Sequence, residues 1–388
     1  MRLSAVLICA ALTWGTAHVA GQSLPSTRGA AGGAAIFNPF REWWYRAAPL
    51  PTRESDAALQ LKEHLEKHPD DPEGLWWASQ VPRLLDVEPR RATEMLVSAA
   101  EKRHPAAVAR VGWKLIAGEG VKQDPKGGLE LLQKALDMGE PEAALQMGAV
   151  MLEGTGGIPV DRVAAESHLR DALRLGTVRA HFSLARLHHD AGNEPASLDA
   201  LLAGAAAGDN RCMGALAEVY RDGRLGQQPD PRLAVRWMRD AAERGNTSMQ
   251  REMAKALTSG YSGLVVDLPT ARMLIESAAG AEDPEAMLML AQGCLIGKYG
   301  FAQDAAKAGK LLTALNKMNY APGLYTLARL HLDGAVIPHN LTKEQATKDA
   351  VAMMRRAAKL RYPPALDYLA ANGLTELPAS QPVTQHQS

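Results

Sequence analysis

The most constraining feature of the chain is a short sequence that recurs at a nearly constant interval. The stretch PEAALQMGAVMLEGTG at 141–156 returns as PEAMLMLAQGCLIGKYG at 284–300. Alignment on the small residue inside this stretch gives seven copies, at intervals of 36, 37, 32, 37, 37 and 37 residues. The seven anchor residues are Gly112, Gly148, Ala185, Ala217, Ala254, Ala291 and Ala328. A regular period of this length predicts a repeat architecture.

The positions around the anchor predict two helices in each repeat. The residue before the anchor is apolar in every copy and the residue five before it is mostly small, so the three form one close-packing edge of a helix. Six residues after the anchor, six of the seven copies have a glycine, which supplies the left-handed residue that ends a helix. An aspartate such as Asp124 or Asp230 then precedes a second apolar pattern, as an N-cap does. We call the two predicted helices of each repeat A and B.

The B helices carry two adjacent columns that are almost entirely apolar. The first contains Leu131, His168, Leu201, Trp237, Leu274, Leu311 and Met353. The second contains Leu132, Leu169, Leu202, Met238, Ile275, Leu312 and Met354. The third repeat is about five residues shorter than the others and has AGNEPAS in place of the glycine turn, so we expect a tightened turn there. Because a helical hairpin cannot bury its apolar face alone, neighbouring repeats must stack. The sequence therefore predicts an all-α fold, an α-α superhelix built as a right-handed solenoid of stacked helix-turn-helix repeats.

The remaining segments suggest a domain plan. Residues 1–21 have Arg2, an apolar run and then small residues, which is the pattern of a signal peptide and predicts a periplasmic or extracellular protein. Residues 22–55 are predicted to be a linker with an aromatic segment, FNPFREWWYR at 37–46, that either caps the repeats or anchors a partner. Capping helices and a degenerate repeat are expected over 56–104, repeats over 105–372 and a disordered tail over 373–388. In the degenerate repeat, the first helix would carry Trp76 and Trp77, and the second Leu96, Val97 and Ala100.

At these columns the chain resembles the Sel-one-like repeat family, a relative of the tetratricopeptide repeats with slightly longer units. The resemblance is clearest in ALAEVYRDGRLGQQPDPRLAVRWMRDAAERGN at 215–246 and covers about residues 105–362. It implies an adaptor or scaffold that holds other proteins on a curved surface, several family members being exported bacterial regulators or assembly factors. One cysteine-rich branch of the family has been linked to hydrolysis of β-lactams. This chain lacks the paired cysteines of that branch.

Composition and motifs indicate little chemistry. Lys+Arg and Asp+Glu number 43 each, so no excess of basic residues points to nucleic acid or an anionic membrane, and no transmembrane segment is expected. His188, His331 and Cys294 are of residue types that bind metal ions. However, each stands three residues after the anchor of a different repeat, and this regular separation favours a structural role. No serine elbow, HExxH helix or phosphate loop is present in the sequence. We therefore expect no enzyme activity and no catalytic, metal or cofactor site.

One face of the A helices is polar and is the candidate docking surface. It comprises the positions two before, one after and five after the anchor, which lie three or four residues apart. They include Ser183, Glu252, Gln292, Glu153, Asp190, Asp222 and Asp333. The residues expected to bind a partner are Arg110, Trp113, Gln146, Arg186, Glu218, Lys255 and Arg329. An ordinary solvated helix face is the competing interpretation.

These features favour an exported solenoid adaptor that binds a protein or peptide on its concave face without catalysis. Two alternatives remain open at this point. A hydrolase acting on the cell envelope would need acids or histidines that converge in one pocket. A structural spacer would tolerate charge reversal on the A-helix face.

Overall fold

The computed structural model describes residue 37 and residues 56–82, 85–334 and 342–374. Within these ranges the protein is all-helical, with eighteen α-helices packed in consecutive pairs and no strand, as an α-α repeat solenoid requires. The chain divides into two compact units between Asp209 and Asn210. The predicted signal peptide and most of the aromatic segment and of the tail lie outside the described residues.

The described part of the first compact unit contains nine α-helices. They are α1 (Asp56–Lys67), α2 (Pro72–Gln80), α3 (Pro89–Glu101), α4 (Pro105–Ala117), α5 (Pro125–Asp137), α6 (Pro141–Glu153), α7 (Arg162–Arg174), α8 (Ala180–Asp190) and α9 (Glu194–Ala206). Its repeats pair α4 with α5, α6 with α7 and α8 with α9. Within this unit, α5 also contacts α6 and α7 also contacts α8, so an apolar core continues from one repeat to the next.

The second compact unit also contains nine helices. They are α10 (Asn210–Asp222), α11 (Pro231–Glu243), α12 (Thr247–Ser259), α13 (Leu268–Gly280), α14 (Pro284–Ile296), α15 (Ala305–Lys317), α16 (Ala321–Leu332), α17 (Lys343–Lys359) and α18 (Pro363–Ala371). Its repeats pair α10 with α11, α12 with α13, α14 with α15 and α16 with α17, and α18 packs on α17.

In the first, second, fourth, fifth and sixth repeats, the turn between the two helices has the structure that the sequence predicts. Gly118, Gly154, Gly260 and Gly297 end their A helices in the left-handed conformation. The aspartate that follows caps the B helix, since Asp124, for example, accepts a hydrogen bond from the backbone N–H of Gly127 at 3.0 Å. Its own backbone N–H closes the turn by donating to the carbonyl of the residue three after the anchor. This bond recurs for Asp124, Asp161, Asp230, Asp267 and Asp304.

The third repeat corrects one detail of the predicted register. Its turn is tightened to three residues as expected, with Asn193 as the N-cap of α9, and the same closing bond joins the N–H of Asn193 to the carbonyl of His188 at 2.8 Å. Leu201, and not Leu202, occupies the second B-helix column, which is buried, and Leu202 is 37% exposed. The predicted register was wrong by one residue because α9 has leucine at both positions and small residues around them, so the sequence pattern fits either choice. The N-cap decides the register, since Leu201 stands eight residues after it as Leu132 does after Asp124.

The B helices end with another left-handed residue. Gly139, Gly176, Gly208 and Gly245 have φ between 81° and 94°. In later repeats, the same place is taken by Glu282, Asn319 and Arg361, with φ between 56° and 60°. In every case the next backbone N–H bonds to a carbonyl five residues before it, which is the Schellman pattern. The sequence shows this stop signal only where it is a glycine.

The N-terminal helices carry their own core. Trp76 and Trp77 are each 1% exposed, and Phe37 packs edge-on against His64 with ring centroids 5.3 Å apart. Leu96 is buried as expected, whereas Val97 is 39% exposed because it lies on the outer side of α3. Phe37 therefore joins the core of α1 and α2. The rest of the aromatic segment, 38–46, lies outside the described residues.

Candidate interaction surface

The A helices of the first compact unit form a continuous face. Neighbouring A helices contact each other, α4 with α6 and α6 with α8, whereas neighbouring B helices approach each other less closely. Arg110 on α4 and Gln146 on α6 occupy equivalent positions of their repeats, and so do Trp113 on α4 and Arg186 on α8. This face of α4, α6 and α8 is called the A face of the first unit below.

Two ion pairs link neighbouring repeats across this face. The Arg179 Nη2 atom lies 2.7 Å from Glu142 Oε1, and the Glu142 side chain is buried. Further along the same two helices, Arg186 Nη1 lies 2.9 Å from Glu153 Oε1, with both side chains about half-exposed. A buried charge needs its partner, whereas an exposed pair contributes only about 0–1 kcal/mol. Arg179 and Glu142 therefore hold the repeats together, and Arg186 is already paired within the protein.

Other polar residues of the A face have no partner. Arg110, Gln146 and Ser183 make no hydrogen bond or ion pair with any residue that the structure describes, and all three are partly buried. The Gln146 Oε1 atom is buried without a donor. Trp113 is partly buried and packs against the core that includes Ile116 and Leu132. Part of the predicted surface is thus available to a partner.

In the second compact unit, the predicted residues lie among charges of both signs. Lys255 Nζ lies 2.8 Å from Glu252 Oε1 and 3.8 Å from Glu285 Oε1. Glu218 lies 3.9 Å from Arg224, which also pairs with Asp222. Gln292, partly buried, makes no hydrogen bond with the described residues. The charges of this stripe are mostly neutralised locally.

An arginine that the sequence analysis did not select makes the most buried charge contacts of the second unit. Arg251, whose side chain is 12% exposed, binds Asp283 Oδ2 at 2.8 Å and Glu285 Oε2 at 2.7 Å. Asp283 also accepts a hydrogen bond from Thr247 and caps α14 through the N–H of Ala286. This group joins α12 to α14 and so has a structural role. In the sequence, this group is marked by a positive charge on one A helix and by negative charges 32 and 34 residues later.

Arg329 lies among tyrosines at the end of the second unit. Its guanidinium stands over the ring of Tyr368, 5.6 Å from the ring centroid, and its hydrogen bond to Tyr325 raises the pKa of the guanidinium. Asp333 lies 3.5 Å away. The ring of Tyr325 in turn meets Tyr362 edge-on with centroids 5.6 Å apart, and burial raises the pKa of Tyr362. Tyrosine and arginine are the residues that most often carry binding energy at interfaces.

The histidines and cysteines occupy separate layers. Cys212 and Cys294 are buried and form no disulfide bond in the described part of the chain, and burial raises the pKa of Cys294. Burial lowers the pKa of His181 and of His331, which favours neutral imidazoles. Within the described ranges, no three His, Cys, Asp or Glu side chains converge in a way that could hold a metal ion. Cys294 and His331 are buried, and His188 is partly buried with its Nε2 atom 4.0 Å from Glu166 Oε1.

Comparison with known families gives the identity of these repeats. The model of the family described as "Sel1 repeat" matches residues 105–140, 141–176, 211–246, 284–318 and 321–362. The chain belongs to the Sel1 repeat family. The two repeats that the Sel1 model leaves unmatched, α8 with α9 and α12 with α13, have the same helix pair as the others. The resemblance stated from the sequence is thereby confirmed.

Individual relatives are distant. The chain is 26% identical over 184 residues to chitin synthase regulatory factor 3 of Schizosaccharomyces pombe, which covers 45% of this chain and 20% of the relative. The chain thus spans about a fifth of that relative's length.

Solved structures with a similar fold are also distant. They include c5321, a protective antigen of uropathogenic Escherichia coli with an SLR fold (TM-score 0.46, 21% identity, 81% of this chain and 67% of the other). Another is a Sel1 repeat protein from Oxalobacter formigenes (TM-score 0.47, 23% identity, 66% of this chain and 98% of the other). A third is the immunity protein Pa5087 of Pseudomonas aeruginosa (TM-score 0.39, 17% identity, 60% of this chain and 83% of the other).

In the described part of the chain, none of the helices combines the length and the apolar character needed to cross a bilayer.

Proposed function

We propose that the protein is an exported adaptor, which binds a protein or peptide partner on the A faces of its repeats and carries out no chemistry of its own. Sel1 repeat proteins typically mediate protein interactions. The observation that carries the proposal to this chain is the set of partly buried polar residues on the A face of the first unit that have no partner among the described residues. A purely structural spacer has no reason to keep such groups unsatisfied.

Export is a separate part of the proposal and depends on residues 1–21. Their charged start, apolar run and small-residue boundary are the pattern on which a signal peptidase acts. Fractionation of cells that produce the full chain tests it directly. Retention of the whole protein in the cytoplasm, at its uncleaved mass, would exclude export.

The proposed binding face is tested by reversing a charge on each A face. As matched controls, a charge is also reversed at exposed positions of the B helices. Arg186→Glu and Arg329→Glu alter the A faces of the first and the second unit, respectively. Arg170→Glu on α7 and Arg239→Glu on α11 make the same chemical change on exposed B-helix positions. Each purified protein is immobilised and exposed to cell-envelope extract, and the bound proteins are identified by mass spectrometry. Circular dichroism confirms that all four variants are folded.

We expect one or both A-face variants to lose a protein that the wild type and both B-helix variants retain. An identical set of bound proteins for all five samples would contradict the proposed face. Loss of the same protein from a B-helix variant would place the interface on the opposite side of the repeats.

A further inference from the structure

Two neighbouring turns of the second unit carry exposed apolar side chains. In the turn between α12 and α13, Val265 is 84% exposed and Val266 is 54% exposed. Ile296, the last residue of α14, is 68% exposed. Tyr261 in the first turn and Leu268 at the start of α13 are exposed as well. We call these five residues the apolar edge.

The two turns lie against each other. Helix α13 contacts residues 298–300, which follow α14. A Cβ added to Gly300 would lie only 2.9 Å from the Cβ of Leu268, so the two backbones approach closely at this point. Arg272 Nη1 also lies 3.4 Å from the carbonyl oxygen of Gly300. The apolar residues of the two turns therefore belong to one surface.

Other repeats have polar or small residues where this edge is apolar. Val265 stands two residues before the capping aspartate, and the residues at this position in the first, second, fourth and sixth repeats are Lys122, Pro159, Gln228 and Ala302. Ile296 stands five residues after its anchor, where four other repeats have the acids Glu153, Asp190, Asp222 and Asp333. The repeat fold thus does not require apolar residues at these positions. An exposed apolar cluster that the fold does not need is typical of an interaction site.

The unpaired charges beside the apolar edge are positive. Arg272 and Lys298 form no ion pair with any residue that the structure describes, and the Lys298 ammonium lies over the Tyr299 ring, 4.8 Å from its centroid. The acids of the two turns, Asp267 and Asp304, accept hydrogen bonds from the first N–H groups of α13 and α15. The positive ends of these helices offset their charge. The edge is therefore complementary to an apolar surface that carries negative charge.

The shape of the edge favours a membrane over a peptide. A side chain that lines a groove is shielded by the walls of the groove, whereas Val265 and Ile296 leave most of their surface free. Protruding apolar side chains of this kind can enter a bilayer, while tyrosine and the basic side chains stay at the level of the headgroups. A second copy of the chain is a poor fit, because a stable interface takes about 20–30 residues a side.

We infer that the apolar edge docks the protein on an anionic lipid surface. Val265, Val266 and Ile296 enter the boundary between headgroups and acyl chains, and Arg272 and Lys298 pair with lipid phosphates. Binding is peripheral and reversible, because a small apolar area with two cations gives only modest affinity for a membrane. This inference goes beyond the proposed function, and its residues are not those proposed to bind a protein partner.

A fluorescent label tests whether the edge enters lipid. Val265→Cys is labelled in the full chain with the environment-sensitive dye NBD, and Val97→Cys on α3 is the matched control at another exposed valine. The natural residues Cys212 and Cys294 are buried and should not react in the native protein. Vesicles of phosphatidylcholine and phosphatidylglycerol in equal amounts are then added. We expect the emission of the label at 265 to shift to shorter wavelength, and that of the label at 97 to stay unchanged.

Charge and apolar variants of the unlabelled full chain separate the two contributions. Binding is measured by sedimentation with the mixed vesicles and with vesicles of phosphatidylcholine alone. Arg272→Gln and Lys298→Gln should each weaken binding to the mixed vesicles about fivefold and leave binding to phosphatidylcholine unchanged. Val265→Ser combined with Val266→Ser should weaken binding to both kinds of vesicle about tenfold or more.

Matched controls make the same chemical changes away from the edge. Arg239→Gln alters an exposed arginine on α11, and Val97→Ser alters an exposed valine on α3. Both should bind vesicles as the wild type does. The apolar run of residues 1–21 can itself bind lipid, but every protein compared contains it, so the differences between variants are decisive.

Three results would overturn the inference. The label at 265 could behave like the label at 97, or the double serine variant could bind vesicles as tightly as Val97→Ser. The third is self-association of the wild type without lipid that the double serine variant lacks, because the edge would then join two copies of the chain. Arg186→Glu and Arg329→Glu, which test the adaptor proposal, should bind vesicles like the wild type, so either proposal can fail while the other stands.

Discussion

Replacing Gly245 by alanine should destabilise the second unit, whereas the same replacement of Gly280 should stabilise it. Gly245 ends α11 with φ of 81°, and Gly280 is the last residue of α13 without a positive φ. A Cβ added at either position meets no atom within 4 Å, so packing does not distinguish them. The two substitutions therefore isolate the backbone conformation from every other effect.

The expected magnitudes follow from the two backbone conformations. An alanine in the left-handed conformation destabilises the folded state by about 1–2 kcal/mol. Because alanine restricts the unfolded chain more than glycine does, about 0.4–1 kcal/mol of this destabilisation is offset. Gly245→Ala should therefore lower the free energy of unfolding by about 1 kcal/mol. Gly280→Ala should raise it by about 0.5 kcal/mol, because alanine favours the helix. The signs are opposite, which makes the comparison robust.

A reciprocal change tests the same reasoning where the natural residue is not glycine. Arg361 ends α17 with φ of 59° and is exposed. Arg361→Gly removes the left-handed cost of about 1–2 kcal/mol and adds glycine's entropy cost of about 0.5–1 kcal/mol. The net expected gain is about 0.5–1 kcal/mol.

Urea unfolding followed by far-ultraviolet circular dichroism provides the measurement. Midpoints are compared between proteins of equal m value, since a changed m value would signal altered cooperativity among the repeats. The reasoning is refuted if Gly245→Ala and Gly280→Ala shift the midpoint in the same direction. It is also refuted if Arg361→Gly lowers stability.

Three further predictions concern charge, pH and thiol chemistry. Arg251→Met should lower stability by about 1–3 kcal/mol because it leaves the partly buried Asp283 carboxylate without its cation, whereas the matched Arg186→Met breaks an exposed pair and should cost less than about 1 kcal/mol; urea midpoints report both. The hydrogen bonds from the Thr270 side chain and backbone hold the pKa of Asp267 below its usual value of 3.8. The Asp267 carboxylate therefore stabilises the fold fully above pH 3.8, and this stabilisation is lost as the pH falls through the lower pKa that the group has in the folded protein. Asp267→Asn should therefore lose less stability in acid than the wild type, and parallel curves in an acid titration of thermal stability would contradict this. Cys212 and Cys294 should resist iodoacetamide in the native protein at neutral pH and react after unfolding in guanidinium, as mass spectrometry can show; rapid native labelling of either thiol would contradict their burial.

Much of the fold could be predicted because the same local sequence signals recur from repeat to repeat. Positions such as Gly118 and Asp124 act through their own backbone and their near neighbours, so their roles follow from spacing alone. The third repeat shows the limit of this reasoning. The sequence pattern allows either Leu201 or Leu202 at the buried position of α9. Only the N-cap at Asn193, together with the packed A helix, selects Leu201.

The candidate surface could be predicted only in part. Periodicity placed Arg110, Gln146 and Arg186 on one helix face, but it gave no information about which polar groups have partners. The structure pairs Arg186 with Glu153 and leaves the other two without partners among the described residues. Pairing depends on where side chains from different repeats end, which local spacing does not determine.

By itself, the sequence determined the helix pairs, their turns and their family, because these depend on contacts between residues close together in the chain. The tertiary structure decided the buried register of α9, the charge pairs that join repeats, and the buried unsatisfied oxygen of Gln146. The charge pairs join residues that are 37 and 33 residues apart in the chain, where the meeting of two side chains is set by packing and not by spacing.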